Sequence, residues 1–198
     1  MSELQSLSAF DGVSAAGRYG NPNGTAGVTL TERANLGLAT LEVRKGQTVA
    51  LAEKVQAMYG AALPVGPVSA SGTGVRFVGI APGQWFAVSE TMPNEALAVD
   101  LATKLQGLAS VADHSSGRAI MRLEGPAVRD VLAKGLAVDI DPSVFIDGAA
   151  ALTNIGHIGV LVWRDDEAFD LTVFRSFAGS FYGWLQASAA EFGIDVVT

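Results

Sequence analysis

The sequence contains no cysteine, 2 histidines and only 17% charged residues over 198 positions. Without thiols, disulfide scaffolds, thiolate-ligated zinc, iron–sulfur clusters and cysteine nucleophiles are excluded. His114 and His157 lie far apart, so a zinc site would need carboxylates for most of its ligands, an uncommon donor set. His157, at the head of an apolar strand, reads as a partly buried imidazole with a satisfied hydrogen bond. Basic residues are also short: 13 Lys and Arg stand against 20 Asp and Glu, for a net charge of −7. That balance lacks the basic footprint that nucleic acid or an anionic lipid surface selects, so neither is an expected partner. The longest uncharged stretch, residues 55–75, is broken by Pro64, Pro67, Gly60, Gly66, Gly72 and Gly74 and could not cross a bilayer as a helix. Residues 1–10 show neither the basic start nor the apolar run of a secretory signal, and the expected compartment is the cytoplasm.

Motifs for bound phosphates and nucleophiles are missing as well. There is no Gly-Lys dipeptide and hence no phosphate-cradling loop of the Walker type. Gly72-Thr73-Gly74 has Phe77 where a dinucleotide fingerprint needs its third glycine, and reads as a loop entering a strand. The strand–Ser–helix elbow G-x-S-x-G does not occur. What is plentiful is apolar and small: 49% of residues are hydrophobic and 23 are glycine, while charge falls below the roughly 25% usual for a soluble domain. Two causes fit, an Ala/Gly-rich composition or a surface partly covered by another chain.

Residues 1–35 are rich in Gly, Ser, Asn, Thr and Ala and read as a loosely ordered arm. From there the pattern alternates between strand and helix. Leu36, Leu38, Leu41 and Val43 mark a strand, and residues 47–59 carry apolar side chains at helical spacing. Strands at 75–80 and 85–88 flank the turn Ala81-Pro82-Gly83, Pro93 opens a helix toward Gly107, and Val111 begins another strand. A second cycle runs from a strand at 119–123 through a helix opened by Pro126 to three strands near 149–155, 158–163 and 169–174. A helix over 177–192 and a closing strand at 194–197 complete it. The order strand–helix–strand–strand–helix–strand, met twice, predicts an α+β fold of two packed ferredoxin-like, split βαβ halves. The expected division is an arm at 1–35, a first subdomain at 36–112 and a second at 113–198.

Three features carry candidate chemistry. Asp139 and Asp141 alternate on an extended segment and could act as a carboxylate pair if a pocket lies there. Asp165-Asp166-Glu167 sits in a hairpin loop without the spacing of a calcium loop, which makes it a solvated turn. In the last helix Phe177, Phe181, Trp184, Leu185, Ser188 and Phe192 share one face at 100° per residue. The opposite face carries Gly179, Gly183, Gln186, Ala187 and Ala190 and no charge. Two interior glycines cost a helix roughly 1 kcal/mol each, so a back face of small residues points to burial on both sides, by a partner or by the other half of the chain.

Several blocks together resemble a known family. They are Ala81-Pro82-Gly83-Gln84-Trp85, then Asp113-His114-Ser115-Ser116-Gly117-Arg118-Ala119, then the segment from Gly125-Pro126 to Gly135, Gly156-His157-Ile158 with Val160-Leu161-Val162-Trp163-Arg164, and finally the run from Phe169 to Ala178. In this order they resemble the gamma subunit of heterotetrameric sarcosine oxidase. More distantly they resemble the folate-binding domain of aminomethyltransferases, in which a strand leads into Gly-Pro, a helix and an Asp. Asp139 stands at that place, so the resemblance makes it the one folate-binding candidate; no other catalytic or metal residue is implied. The chain is too short to include the transferase's C-terminal barrel. The resemblance implies a subunit without its own cofactor, packed against alpha, beta and delta subunits. Those companions would hold FAD, FMN, NAD, zinc and tetrahydrofolate in a complex that oxidatively demethylates sarcosine to glycine. The alternatives are a stand-alone folate-binding, one-carbon-transfer enzyme using Asp139 and an α+β binding module of unrelated role.

Overall fold

A computed structural model describes residues 8–13 and 15–197. Two antiparallel-rich sheets lie back to back, each with its own helices on the outer face. The smaller sheet contains β3 (Gly37–Val43), β4 (Ser69–Gly72), β5 (Val75–Ala81), β6 (Gln84–Ser89) and β7 (Ala109–Asp113), in the order β4-β5-β6-β3-β7. Its helices are α1 (Thr48–Tyr59) and α2 (Ala96–Lys104). The larger sheet adds β1 (Gly17–Tyr19) and β2 (Val28–Glu32) to β8 (Arg118–Glu124), β9 (Ala150–Ile155), β10 (Ile158–Asp165), β11 (Ala168–Phe174) and β12 (Ile194–Val197). Its order is β1-β12-β2-β8-β11-β10-β9. Its helices are α3 (Val128–Ala133) and α4 (Ala178–Ala189), the latter entered through a 3-10 turn at Arg175–Phe177.

Side-chain alternation divides the interior into three layers, because successive residues of a strand point to opposite faces. In β10, Val160 and Val162 face α3 and α4, while Leu161 and Trp163 face the other sheet. In β5 and β6, Phe77, Trp85 and Ala87 pack against α1 and α2, whereas Val78, Phe86 and Val88 meet Leu161, Trp163 and Ile120 between the sheets. Trp163 is fully buried at this inter-sheet seam. Both halves are thus split βαβ units, and the chain is α+β.

Residues 1–35 differ from the expected loose arm. Residues 1–7 and 14 lie outside the described residues, but β2 stands in the middle of the larger sheet, antiparallel to β8 and parallel to β12. It separates the first and last strands of the second half, which a plain ferredoxin-like order would place side by side. The short alternation Val28-Thr29-Leu30 buries Val28 and Leu30 in the core, and Arg18 ties β1 to Asp195 of β12. Neighbouring strands from the other end of the chain supply the pairing that the segment's own composition does not announce.

Helix starts also shift. α2 begins at Ala96, one turn after Pro93, because Asn94 adopts a left-handed conformation with φ 53°. α3 begins at Val128, after the turn at Gly125-Pro126. At Gly125 φ is +119°, and a Cβ there would lie 2.5 Å from the carbonyl oxygen of Gly27, so the close approach of β2 to this turn requires glycine.

Candidate functional site

Asp139 lies in the irregular segment after α3, exposed at the rim of an open concavity of about 410 Å3 that includes Arg129, Leu136, Val138 and Pro142. Its Oδ1 accepts the backbone N–H of Asp141 at 2.9 Å. Asp141 in turn accepts the N–H of Ser143 at 2.9 Å and its hydroxyl at 2.5 Å, bonds that hold the Asp141 carboxyl below the usual carboxylate range. The two carboxylates therefore act in series as caps of successive Asx turns and do not converge on a ligand. Arg129, which lines the same concavity, donates to the carbonyl of Ile140 through Nη1 and lies over the Phe169 ring at 4.9 Å. Arg129 Nη2 is buried without a hydrogen-bond partner among the described residues, but an open, turn-capping carboxylate does not form the enclosed seat that a pterin would need.

The two histidines are not brought together. His157 is exposed in the tight turn between β9 and β10, not partly buried as its apolar strand suggested, because the hairpin turns at Gly156-His157. His114 Nε2 is 3.1 Å from Thr40 Oγ1, and partial burial together with the charge of Arg118 lowers its pKa. Among the described residues no cluster of three or more His, Asp or Glu is placed to hold a metal ion.

The acidic hairpin is more than a solvated turn. Asp165, at the end of β10, accepts from Arg76 of the smaller sheet at 2.6 Å and from Arg122 of β8 at 3.0 Å. Next to it, Asp170 of β11 is fully buried and accepts from Arg33 at 3.0 Å and Arg122 at 3.1 Å. Arg33 reaches on to Glu90, across the seam, so the sheets are joined by a chain of alternating charges. Burial pushes the Asp170 carboxyl above its usual range against the pull of both arginines. For Asp165 burial acts in the same direction, but the hydrogen bonds and charges of Arg122 and Arg76 outweigh it and hold the carboxyl low. Residue-level reading missed this network, since Arg33 fell in the presumed arm. The one available signal was a charged Asp within the mostly apolar strand Ala168–Phe174.

α4 buries Ala178, Phe181, Tyr182, Leu185, Ser188 and Ala189 against the larger sheet. Its outward face, Gly179, Ser180, Gly183, Ala187 and Ala190, is exposed and uncharged, and a Cβ added at Gly183 would meet nothing within 4 Å. Among the described residues the first subdomain leaves this face exposed, and the N-terminal segment touches it only at its ends, through Val13 near Gly179 and Asn21 at Ala190. Phe174 and Phe177, 48% and 42% exposed, lie at its N-terminal approach. A helix surface without charge, next to exposed aromatic side chains, is unusual for a monomer and characteristic of surfaces that meet another protein.

The family model described as "Sarcosine oxidase, gamma subunit family" matches residues 45–191. The chain belongs to the sarcosine oxidase gamma subunit family. Relatives named sarcosine oxidase subunit gamma include one from Corynebacterium sp. strain U-96, 31% identical over 176 residues, covering 85% of this chain and 82% of the relative. Another, from Corynebacterium sp. strain P-1, is 32% identical over 157 residues, covering 77% and 74%. A chain of the heterotetrameric sarcosine oxidase from Corynebacterium sp. U-96, solved with pyrrole 2-carboxylate, superposes with a TM-score of 0.75 at 29% identity, covering 86% of this chain and 87% of that one. The glycine cleavage system aminomethyltransferase T from Bartonella henselae superposes with a TM-score of 0.63 at 14% identity over 87% of this chain and 48% of its own, a likeness of fold alone.

Proposed function

We propose that the chain is the structural gamma subunit of a heterotetrameric sarcosine oxidase, a complex that oxidatively demethylates sarcosine to glycine. The observation that carries this reading is near-complete mutual coverage with one chain of that assembly, at 86% and 87%. The uncharged outward face of α4 supports it, because such a face is stabilised by contact with another subunit. Its companions in this reading are alpha, beta and delta subunits. FAD, FMN, NAD, tetrahydrofolate and zinc reside on those subunits, supplying the redox and one-carbon chemistry for which this chain has no motif. The gamma chain contributes assembly and shape. The stand-alone folate enzyme using Asp139 is not favoured: Asp139 is spent on a turn in an open surface.

The test is to tag the chain in its native cell, purify it gently and record the mass and visible spectrum of what accompanies it. A yellow assembly several times the 20.4 kDa of this chain, active on sarcosine, is the expected result. A colourless monomer or homodimer would overturn the reading.

A further inference from the structure

The block Asp113-His114-Ser115-Ser116-Gly117-Arg118 has no role in the fold-level reading beyond linking the two halves. In the structure it turns at the mouth of a cavity of about 350 Å3 between the sheets, where β2 ends and β8 begins. Buried Leu36, Leu38 and Ile120 supply apolar lining, and Arg33, Arg118, Arg175 and Glu32 supply the charged groups. Three of these four have polar partners among the described residues. Arg33 is matched by Asp170 and Glu90, Glu32 accepts from the Ser8 hydroxyl and the Ala9 N–H, and Arg175 donates to the Ser8 carbonyl at 2.9 Å. Ser115 is held too, accepting from Leu38 N–H at 3.0 Å and donating to Asn94 O at 2.8 Å.

Arg118 is different. Its guanidinium lies over the ring of Phe174, Cζ 3.7 Å from the centroid, which satisfies the face of the cation. The N–H groups at its edge are not satisfied by that stacking. Nε is buried and has no hydrogen-bond partner among the described residues. A buried donor without an acceptor is destabilising, and arginine presents its donors as a planar fork matched to a carboxylate. Burial also pulls the Arg118 pKa downward, in keeping with a cation that lacks its counter-charge. The Glu32 carboxylate in the same lining favours a singly charged, planar group over a phosphate dianion.

We propose that this cavity binds a carboxylate on Arg118, presented either by an acidic side chain of a companion subunit or by a small free acid. Only the first source rests on the subunit reading above; carboxylate binding by the chain does not. The test starts with the full chain, labelled with 15N and observed at the arginine Nε–H resonances. Sodium acetate is titrated against sodium chloride at equal ionic strength. Binding appears as a saturable shift of the Arg118 Nε–H and of the Ala119 and Ile120 backbone N–H resonances with acetate and none with chloride. Arg118→Met should melt no lower than the parent, since it removes an unmet buried donor, and should lose the acetate shift at the Ala119 and Ile120 backbone N–H. Should that variant fail to fold, Arg118→Lys keeps the charge without the fork and should bind acetate at least tenfold more weakly; a Lys variant that binds as tightly as the parent overturns the proposal.

The second arm uses the assembled complex. If the carboxylate belongs to a companion subunit, folded Arg118→Met chains join their complex about thirtyfold or more weakly, the loss expected for a desolvated charge pair. If the acid is free, assembly is unchanged while acetate binding is lost. No acetate shift together with native assembly of Arg118→Met overturns the proposal. A collapse of the subunit reading would leave the acetate titration standing.

Discussion

Arg76 of β5 donates to Asp165 at the end of β10 across 2.6 Å, and in doing so ties one sheet to the other at the edge of an otherwise apolar seam. Arg122 reaches the same carboxylate and also Asp170, so neither acid can be altered without changing the environment of its neighbour. The pair also reveals how a chain of low charge spends its charges. Asp165, Asp170, Arg33, Arg76 and Arg122 are concentrated where two sheets meet, while the outward face of α4 has none.

The two seam acids should respond to pH with opposite sign. Asp165 titrates below its ordinary value of 3.8 in the folded chain, so its contribution is present above that pH and is lost as pH falls through the folded value. Asp170 is shifted upward from 3.8, so its ionisation opposes folding as pH rises from that point through the folded value. Urea melts between about pH 2 and 7 should show a shallower acid loss below 3.8 for Asp165→Asn, at a cost of about 1 kcal/mol near neutrality. Asp170→Leu should cost about 3 kcal/mol at pH 7 by leaving Arg33 and Arg122 short of a buried partner. Equal acid limbs for Asp165→Asn and the parent would contradict the assignment.

Gly125→Ala should destabilise the chain by about 2 kcal/mol or more, because φ of +119° is strained for any side chain and the new Cβ would press on the Gly27 carbonyl at 2.5 Å. The loss should appear in thermal melts of the subunit. A variant as stable as the parent would mean that β2 can move away from the turn at little cost.

Gly183→Glu separates folding from assembly. The site faces open space, and replacing a mid-helix glycine gains up to about 1 kcal/mol of helix propensity, so the isolated subunit should be as stable as before. A buried carboxylate in a subunit contact should weaken assembly at least tenfold, read by pull-down or by sedimentation of the complex. Native affinity would show that this face of α4 stays in solvent.

Asp139→Asn should change little. Asn retains the side-chain oxygen that accepts the Asp141 N–H, so stability should stay within about 0.5 kcal/mol. Sarcosine turnover by the assembled complex should be unaltered. A several-fold fall in turnover would return Asp139 to a chemical role and count against its being only a turn cap.

Much of the architecture was legible because its signals are local. Val160-Leu161-Val162-Trp163 and Phe169-Asp170-Leu171 declare strands through runs of β-formers bounded by turns, and α1 shows its buried stripe of Leu51, Val55 and Tyr59 within twelve residues. The segment Val28–Glu32 was hidden because five residues among Gly and Thr do not form a sustained period, and its place between β8 and β12 depends on partners from the far end of the chain. Asp139 was singled out by order alone, Asp after helix after Gly-Pro. Order says nothing of enclosure, and the segment turns outward there.

The sequence by itself determined the fold class, the succession of strands and helices apart from β1, β2 and β4, and the missing thiol and phosphate-binding chemistry, since these depend on residue identity and on periodicity over a dozen positions. Tertiary structure alone decided that β2 splits the second half, that Arg33 and Asp170 meet, that α4 presents its small residues outward and that the Arg118 Nε–H finds no acceptor among the described residues. The reason is physical. Pairing and burial depend on groups distant in the chain, and a side chain's chemistry is set by which of those groups the folded sheets bring within hydrogen-bonding range.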